Sequence, residues 1–312
     1  MKTIAIPGLD RPCAQLVLGT DYYRPENLDR VAPILDAYVA MGGNVVDTAF
    51  IYGGGKSEEA IGQWMESRGN RSEVMVLTKG AHHDANGPRV NKAAIDEELA
   101  VSLRRLRTDY VDLYALHRDD PNVPVGPIVE ALNEHIAAGR IRAIGVSNWT
   151  YRRIEEANDY AAAHGLVGFS FSSPNLSLAK PNEPFWPGCV SADAETCAWH
   201  EARRFPLLSW SSQARGFFRP ELTPESRDNA DLVRVFFSDA NWERRRRAEQ
   251  LARERGVTVI QIALAYVLNQ PFPTCALIGP QSVAELESCR EATEIRLSAE
   301  ELAWLDLSAD AE

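Results

Sequence analysis

Short apolar runs alternate with longer amphipathic stretches along this whole chain, and that rhythm limits the folds open to it more than any other feature. Runs at 16–18, 44–46, 74–77, 111–116, 143–146, 167–171, 207–210 and 276–278 read as buried strands. Stretches at 28–39, 58–66, 91–106, 127–138, 151–163 and 241–253 repeat apolar residues at helical spacing. Each strand, helix and turn together take about thirty residues, as a crossover between parallel strands requires. Eight such strands predict an α/β fold, a (β/α)8 TIM barrel with long loops at its C-terminal face, rather than an open doubly wound sheet. No GxGxxG follows an early strand, and no second boundary interrupts the pattern, so residues 1–312 read as a single domain.

Two intervals are too long for simple turns, 174–205 and 216–241. Loops of that length in a barrel are usually lids or binding loops, which makes Trp186 and the Phe217-Phe218 pair candidate substrate walls.

Charge and cysteine usage exclude several function classes. A net charge of −11 repels nucleic acid and anionic membranes. The one dense basic run, Arg244-Arg245-Arg246-Arg247, lies between Glu243 and Glu249 and reads as a solvated helix face. Five cysteines without a CxxC pair suit neither a disulfide framework nor a zinc site, so no metal is expected. The N-terminal residues lack a signal-peptide pattern and no apolar run reaches membrane-spanning length. The expectation is a reduced, cytoplasmic protein acting on a small molecule. Oligomeric state depends on exposed apolar patches, which a sequence does not locate.

In such a barrel the residues where strands end face the active site. Asp47 closes the second run, with Tyr52 just beyond it; Lys79 closes the third and His117 the fourth. Asp47 alone could be a helix cap after an apolar run. Together the four make a site for carbonyl–alcohol exchange. A phenol keeps its proton at neutral pH, and a neighbouring ammonium lowers its pKa toward the range useful for proton transfer. Lys79 can supply that ammonium, Asp47 can hold it charged, and His117 can donate a hydrogen bond to a developing oxyanion.

The stretch Val45-Val46-Asp47-Thr48-Ala49-Phe50-Ile51-Tyr52-Gly53, with Ser57-Glu58 and Ile61-Gly62 beyond it, resembles the signature of the aldo-keto reductase superfamily. So do Leu77-Thr78-Lys79, Tyr114-Ala115-Leu116-His117 and Gly139-Arg140-Ile141-Arg142-Ala143-Ile144-Gly145-Val146-Ser147-Asn148, in the family's order over nearly the whole chain. The resemblance implies a barrel that binds NADP(H) or NAD(H) without a Rossmann domain and interconverts carbonyls and alcohols. It makes Tyr52 the general acid/base, tuned by Asp47 and Lys79, with His117 orienting the carbonyl. It assigns cofactor contacts to Ser147 and Asn148 (carboxamide), Trp210 (nicotinamide stacking), and Ser211, Gln213 and Gly216 (pyrophosphate loop). Gly279, Gln281 and Glu285 match the segment around the adenosine phosphate. The family's strand-six glutamine is missing, and serine or phenylalanine stands in Phe169-Ser170-Phe171-Ser172-Ser173.

NADP-dependent members usually carry lysine or arginine where this chain has Gln281 and Glu285. A carboxylate there repels a 2′-phosphate and accepts hydrogen bonds from a ribose diol, so NAD(H) is expected to be favoured. The counter-reading turns Glu285 to solvent and gives the phosphate to Gln281, Ser282 or Arg290. Tyr22, Tyr23, Phe50, His82, His83, Arg118, Trp149 and Trp186 are the expected pocket lining. They suit a sugar-derived carbonyl about as well as an aromatic aldehyde, with a slight tilt to the polar class. A Schiff-base aldolase using Lys79 leaves Asp47, Tyr52 and the Ser147-Asn148 pair unexplained. A nicotinamide-binding redox sensor with little turnover is the remaining alternative.

Overall fold

The computed structural model describes residues 1–308. Among them, eight parallel strands close a barrel: β1 Leu16–Gly19, β2 Val45–Asp47, β3 Met75–Gly80, β4 Val111–Leu116, β5 Ile141–Ser147, β6 Phe171–Ser173, β7 Leu207–Ser209 and β8 Thr274–Ile278. The strands pair in chain order, and β8 returns to β1 with Ala276 opposite Leu16 and Ile278 opposite Leu18. Closure leaves no sheet edge to protect. A short ribbon of Thr3–Ile4 and Cys13–Ala14 lies at the N-terminal end.

The helices are α1 Leu28–Ala40, α2 Lys56–Arg68, α3 Lys92–Leu106, α4 Val125–Ala137, α5 Tyr151–Ala163, α6 Ala194–Arg203, α7 Ala230–Phe236, α8 Asp239–Arg255, α9 Val259–Leu268, α10 Val283–Ala292 and α11 Ala299–Leu305. Their starts follow from local sequence. Asn91, Thr150, Asp193, Asn229, Ser238, Thr258, Ser282 and Ser298 each accept the N–H three residues on, relieving an otherwise unpaired donor. None of the described helices is long and apolar enough to cross a membrane.

Strand alternation divides the core in two. Val17, Val45, Met75, Leu77, Leu113, Ala115, Ala143, Phe171, Leu208, Cys275 and Leu277 fill the barrel, with Cys13 of the ribbon and Ile6 of its connecting loop below. The outward set packs against the helices. Gly145 is needed for this filling, because a Cβ there would sit 2.5 Å from the Phe171 ring.

Three sequence expectations are corrected. The sixth strand is 171–173, not 167–171: Val167 is 48% exposed, and the Asn158 amide bonds both the N–H and the carbonyl of Phe169, removing them from any ladder. Phe217 and Phe218 are buried against Phe236, Phe237 and Trp242 and form no substrate wall. The arginine run is not a uniformly solvated face. Arg245 is buried, donating to the carbonyls of Phe217 and Arg219, and Arg247 reaches the carbonyl of Trp304; of the four, only Arg246 is exposed.

Candidate active site

The barrel's inward register carries straight into the site. Val45, Leu77 and Ala115 face the interior, so Asp47, Lys79 and His117, each two residues further on, also point inward at the barrel mouth. Tyr52 comes from a loop rather than a strand. Behind it Gly53, Gly54 and Gly55 all have positive φ (59°, 67° and 95°), a run of left-handed backbone that side chains resist. The loop is held by Arg105, which donates to the Phe50 carbonyl and to Glu58, while Thr78 donates to the other Glu58 oxygen. A hydroxyl cluster of Thr20, Thr48 and Ser57 ties β1, β2 and α2 together beneath it.

Lys79 Nζ is bonded to Asp47 Oδ1, donates to the Thr48 carbonyl at 3.0 Å and reaches the Tyr52 hydroxyl at 3.4 Å. The His117 ring meets the Tyr52 ring edge-on at 5.7 Å, and its Nδ1 is buried without a partner. Tyr52, Lys79 and His117 therefore converge at one point of the mouth.

Burial works to lower Lys79, but Asp47 and then Tyr52 outweigh it, so its pKa is raised and the ammonium is kept. Burial raises Asp47, with Lys79 pulling against it. Tyr52 departs from expectation: burial raises the phenol by more than Lys79 lowers it, so the group holds its proton at neutral pH. That suits an acid waiting to protonate an oxyanion. Burial, then the charges of Lys79 and Arg118, push His117 well below the usual histidine range. It is a neutral donor at neutral pH.

A second buried histidine gives a pH prediction. His200, at about 4 through burial, bonds the Ser172 hydroxyl and the Phe205 carbonyl. A lowered histidine pKa means the folded state binds fewer protons, so stability is full above about 6.5 and falls as pH drops toward 4. Thermal unfolding should show Tm declining through that window. His200→Gln should flatten the decline, and a variant that melts in parallel with wild type at every pH would refute the assignment.

The other sequence candidates divide by position. Ser147 donates to the Ser173 carbonyl. The Asn148 amide donates to the His117 carbonyl (3.3 Å) and Ser147 (3.0 Å) and accepts from Val190 N–H and Trp210 Nε1 (3.1 Å each), so all four of its bonds are used within the protein. Trp210 is thereby anchored through its indole N–H, with its ring 6.1 Å from the Trp186 ring and tilted 40° to it. On β6 the alternation from Phe171 turns Ser172 outward to His200 and Ser173 inward, and the Ser173 hydroxyl is buried and unpartnered. Reading β6 two residues later would have singled out Ser173 from sequence.

In the loop carrying Ser211, Gln213 and Gly216, left-handed backbone occurs at Ser211, Ala214 and Arg215 (φ 50° each) and at Gly216 (93°). Three non-glycine residues in that conformation cost about 1 kcal/mol or more each, a strain typical of ligand-binding loops. Glu285, at the start of α10, accepts from the Gln281 N–H at 2.8 Å, and Gly279 is open to solvent. Glu285 therefore folds back onto the loop.

Two residues expected to line the substrate pocket do not face the mouth. Tyr23 is fully buried in the outer core, and Trp149 packs between Phe169 and Arg153 with its indole N–H on the Arg118 carbonyl. Tyr22 bonds the Pro280 carbonyl, on the side of the Gly279–Glu285 segment. His83 is exposed and stacked on His82, whose ring meets His117 at 4.8 Å, so His82 is the inner of the pair. Trp186 is 43% exposed and lies over Trp210.

Similarity to known proteins bears on the family and the fold. The protein is 31% identical over 296 residues to aldo-keto reductase YhdN of Bacillus subtilis, covering 91% of this chain and 82% of that one. It is 28% identical over 297 residues to an NADP(+) aryl-alcohol dehydrogenase of Phanerodontia chrysosporium, covering 88% and 74%. Its backbone superposes on a glycerol dehydrogenase of Gluconobacter oxydans with TM-score 0.80 at 26% identity, covering 97% and 94%. An aldo-keto reductase of Klebsiella pneumoniae in complex with NADPH gives 0.75 at 27%, covering 98% and 94%. The profile of the aldo/keto reductase family matches residues 15–309, from the first barrel strand past the last described residue; the chain belongs to that family of oxidoreductases.

Proposed function

We propose that this protein interconverts a small carbonyl compound and its alcohol, with Tyr52 as the proton donor and acceptor. The observation that carries the reading is the convergence of the Tyr52 hydroxyl, the Lys79 ammonium 3.4 Å from it and the neutral His117 ring at one inward-facing point. In the reducing direction Tyr52 gives its proton to the carbonyl oxygen, and Lys79 stabilises the phenolate left behind. Asp47 keeps Lys79 charged. His117 orients the carbonyl by a ring N–H hydrogen bond, which strengthens as charge builds on the oxygen.

A nicotinamide dinucleotide, when bound, supplies or accepts the hydride. The residues fit such a group: Ser173 offers an unpaired buried hydroxyl for a carboxamide, and the left-handed residues of the 211–216 loop are of the kind found where backbone turns around phosphates. Ser147, Asn148 and Trp210 position that end. With its four bonds satisfied inside the protein, Asn148 acts in this reading through the ring it anchors. Residues 1–312 act as one barrel domain.

Relatives crystallised with NADPH or NADP bind the phosphorylated dinucleotide. In this chain Glu285 stands on the Gln281 amide, where a 2′-phosphate would meet a carboxylate. We expect NADPH to be preferred by well under about a hundredfold, with NADH competitive. Glu285→Arg should shift the kcat/KM ratio toward NADPH by about tenfold or more. Assaying a panel of aldehydes, ketones and sugar-derived carbonyls with each cofactor tests both statements. Wild-type protein that binds cofactor yet reduces nothing in that panel would remove the enzyme reading, and a preference for NADPH beyond a hundredfold would remove the NAD(H) one.

A further inference from the structure

Arg118 is buried beside the catalytic cluster without a counter-ion among the described residues. It follows His117 at the end of β4 and is only 8% exposed. A guanidinium has five N–H donors. Here Nη1 donates to the His117 carbonyl at 2.8 Å, Nη2 meets Cys189 Sγ at 3.5 Å, and Nε is buried with no partner. The other arginines drawn into the structure differ. Arg71 pairs with Asp112, Arg105 with Glu58, Arg153 with Asp119 and Glu156, and Arg245 with Glu249. The carboxylate next to Arg118 in sequence, Asp119, is thus turned to Arg153.

Holding a guanidinium out of water without an anion is strongly disfavoured, and an anion arriving from outside would relieve that cost. Arg118 also belongs electrically to the mouth. Its charge helps depress both His117 and His82, and its side chain passes beneath the long loop at Gly188. The mouth's remaining charges do not answer it. Lys79 and Asp47 cancel, while His117, His82 and Tyr52 are neutral at neutral pH. Asp21, whose field reaches Tyr52, is exposed and screened by water. Nor do the phosphates of a dinucleotide suit it, because the strained 211–216 loop and the 279–285 segment follow β7 and β8, whereas Arg118 follows β4.

We propose that Arg118 sets substrate specificity by pairing with a carboxylate on the carbonyl compound, so that oxo-acids are taken in preference to neutral aldehydes and ketones. A planar guanidinium with free N–H groups matches a carboxylate through two parallel hydrogen bonds. That pairing fixes the substrate's orientation as well as its charge. The proposal deepens the carbonyl-reductase reading and rests on it for its kinetic test, but not for its binding test.

The kinetic test compares 4-formylbenzoate with its methyl ester, nearly the same shape without the charge. Wild type should favour the acid by about 10- to 100-fold in kcat/KM. Arg118→Met should abolish that ratio, and Arg118→Lys should restore part of it. Cofactor affinity, followed by fluorescence titration, should be the same in all three, which separates loss of recognition from loss of fold. Equal use of acid and ester by wild type, or an equal fall for both in Arg118→Met, would overturn the proposal. The binding test titrates benzoate and benzamide into the cofactor-loaded protein by calorimetry. Benzoate should bind wild type and lose at least about tenfold in affinity in Arg118→Met, while benzamide binds neither tightly. Benzoate binding that is absent, or indifferent to Arg118, refutes the site whether or not any carbonyl is turned over. Arg118-dependent benzoate binding with no reduction of any aldehyde would sink the reductase reading alone.

Discussion

Replacing Tyr52 by Phe is expected to lower kcat for carbonyl reduction by about 10²–10⁴-fold, the usual contribution of a positioned general acid. One oxygen is removed from a loop whose ring packing against His117 and Lys79 is otherwise kept. Fold and cofactor affinity should therefore be unchanged. Steady-state kinetics beside a fluorescence titration of NADPH and NADH separates the two properties, and a variant retaining a tenth of wild-type kcat would remove Tyr52 from the proton-transfer role. The direction of the pKa shift adds a second readout. Because burial raises the phenol, it stays protonated below about pH 10, and wild-type reduction should show no loss from its ionisation between neutral pH and that point. Alcohol oxidation needs the phenolate and should rise with pH across the same interval.

The second large effect concerns the Asp47–Lys79 pair, both members of which are almost fully buried. Asp47→Leu leaves the ammonium without its counter-charge, and breaking a buried pair from one side costs about 3–5 kcal/mol. The stability loss should carry its own pH signature. In wild type Lys79 is raised, so its stabilisation is full below the unfolded value of about 10.4 and disappears as pH climbs through the folded one. In the variant only Tyr52, a phenol that keeps its proton at neutral pH, still opposes burial, so Lys79 is lowered and the protein should be more stable at pH 10 than at pH 7. Adding Lys79→Met to Asp47→Leu should recover most of the stability while leaving activity absent, since two apolar side chains replace an ion pair at little cost. Urea unfolding of the two single variants and the double variant measures the coupling directly. Coupling below about 0.5 kcal/mol would show that the two charges do not depend on each other.

Only part of this was open to a reader of the sequence. Asp47, Lys79 and His117 were legible because each interrupts an apolar run, and strand periodicity places such residues on one rim. Tyr52 was legible because three glycines follow it. Trp149 and Tyr23 were misplaced because aromatic residues next to a rim can turn either way, and the choice depends on neighbours remote in sequence: Phe169 and Arg153 hold the Trp149 ring. Phe217 and Phe218 sit in a long loop that sequence marks as exposed, yet an aromatic cluster reaching to Trp242 draws them inward.

By itself the sequence determined the barrel, its strand order and the proposed catalytic four, since these follow from local periodicity and from where that periodicity stops. Tertiary structure alone decided the rest. It set the Tyr52 phenol high rather than low, because burial there outweighs the pull of Lys79. It turned Ser173 inward and Ser172 toward His200, because Asn158 takes the backbone groups of Phe169 and delays the strand. It left Arg118 without an anion among the described residues, because Asp119 answers Arg153 instead. Each of these is a competition between groups far apart in the chain, and only the closed barrel brings the competitors together.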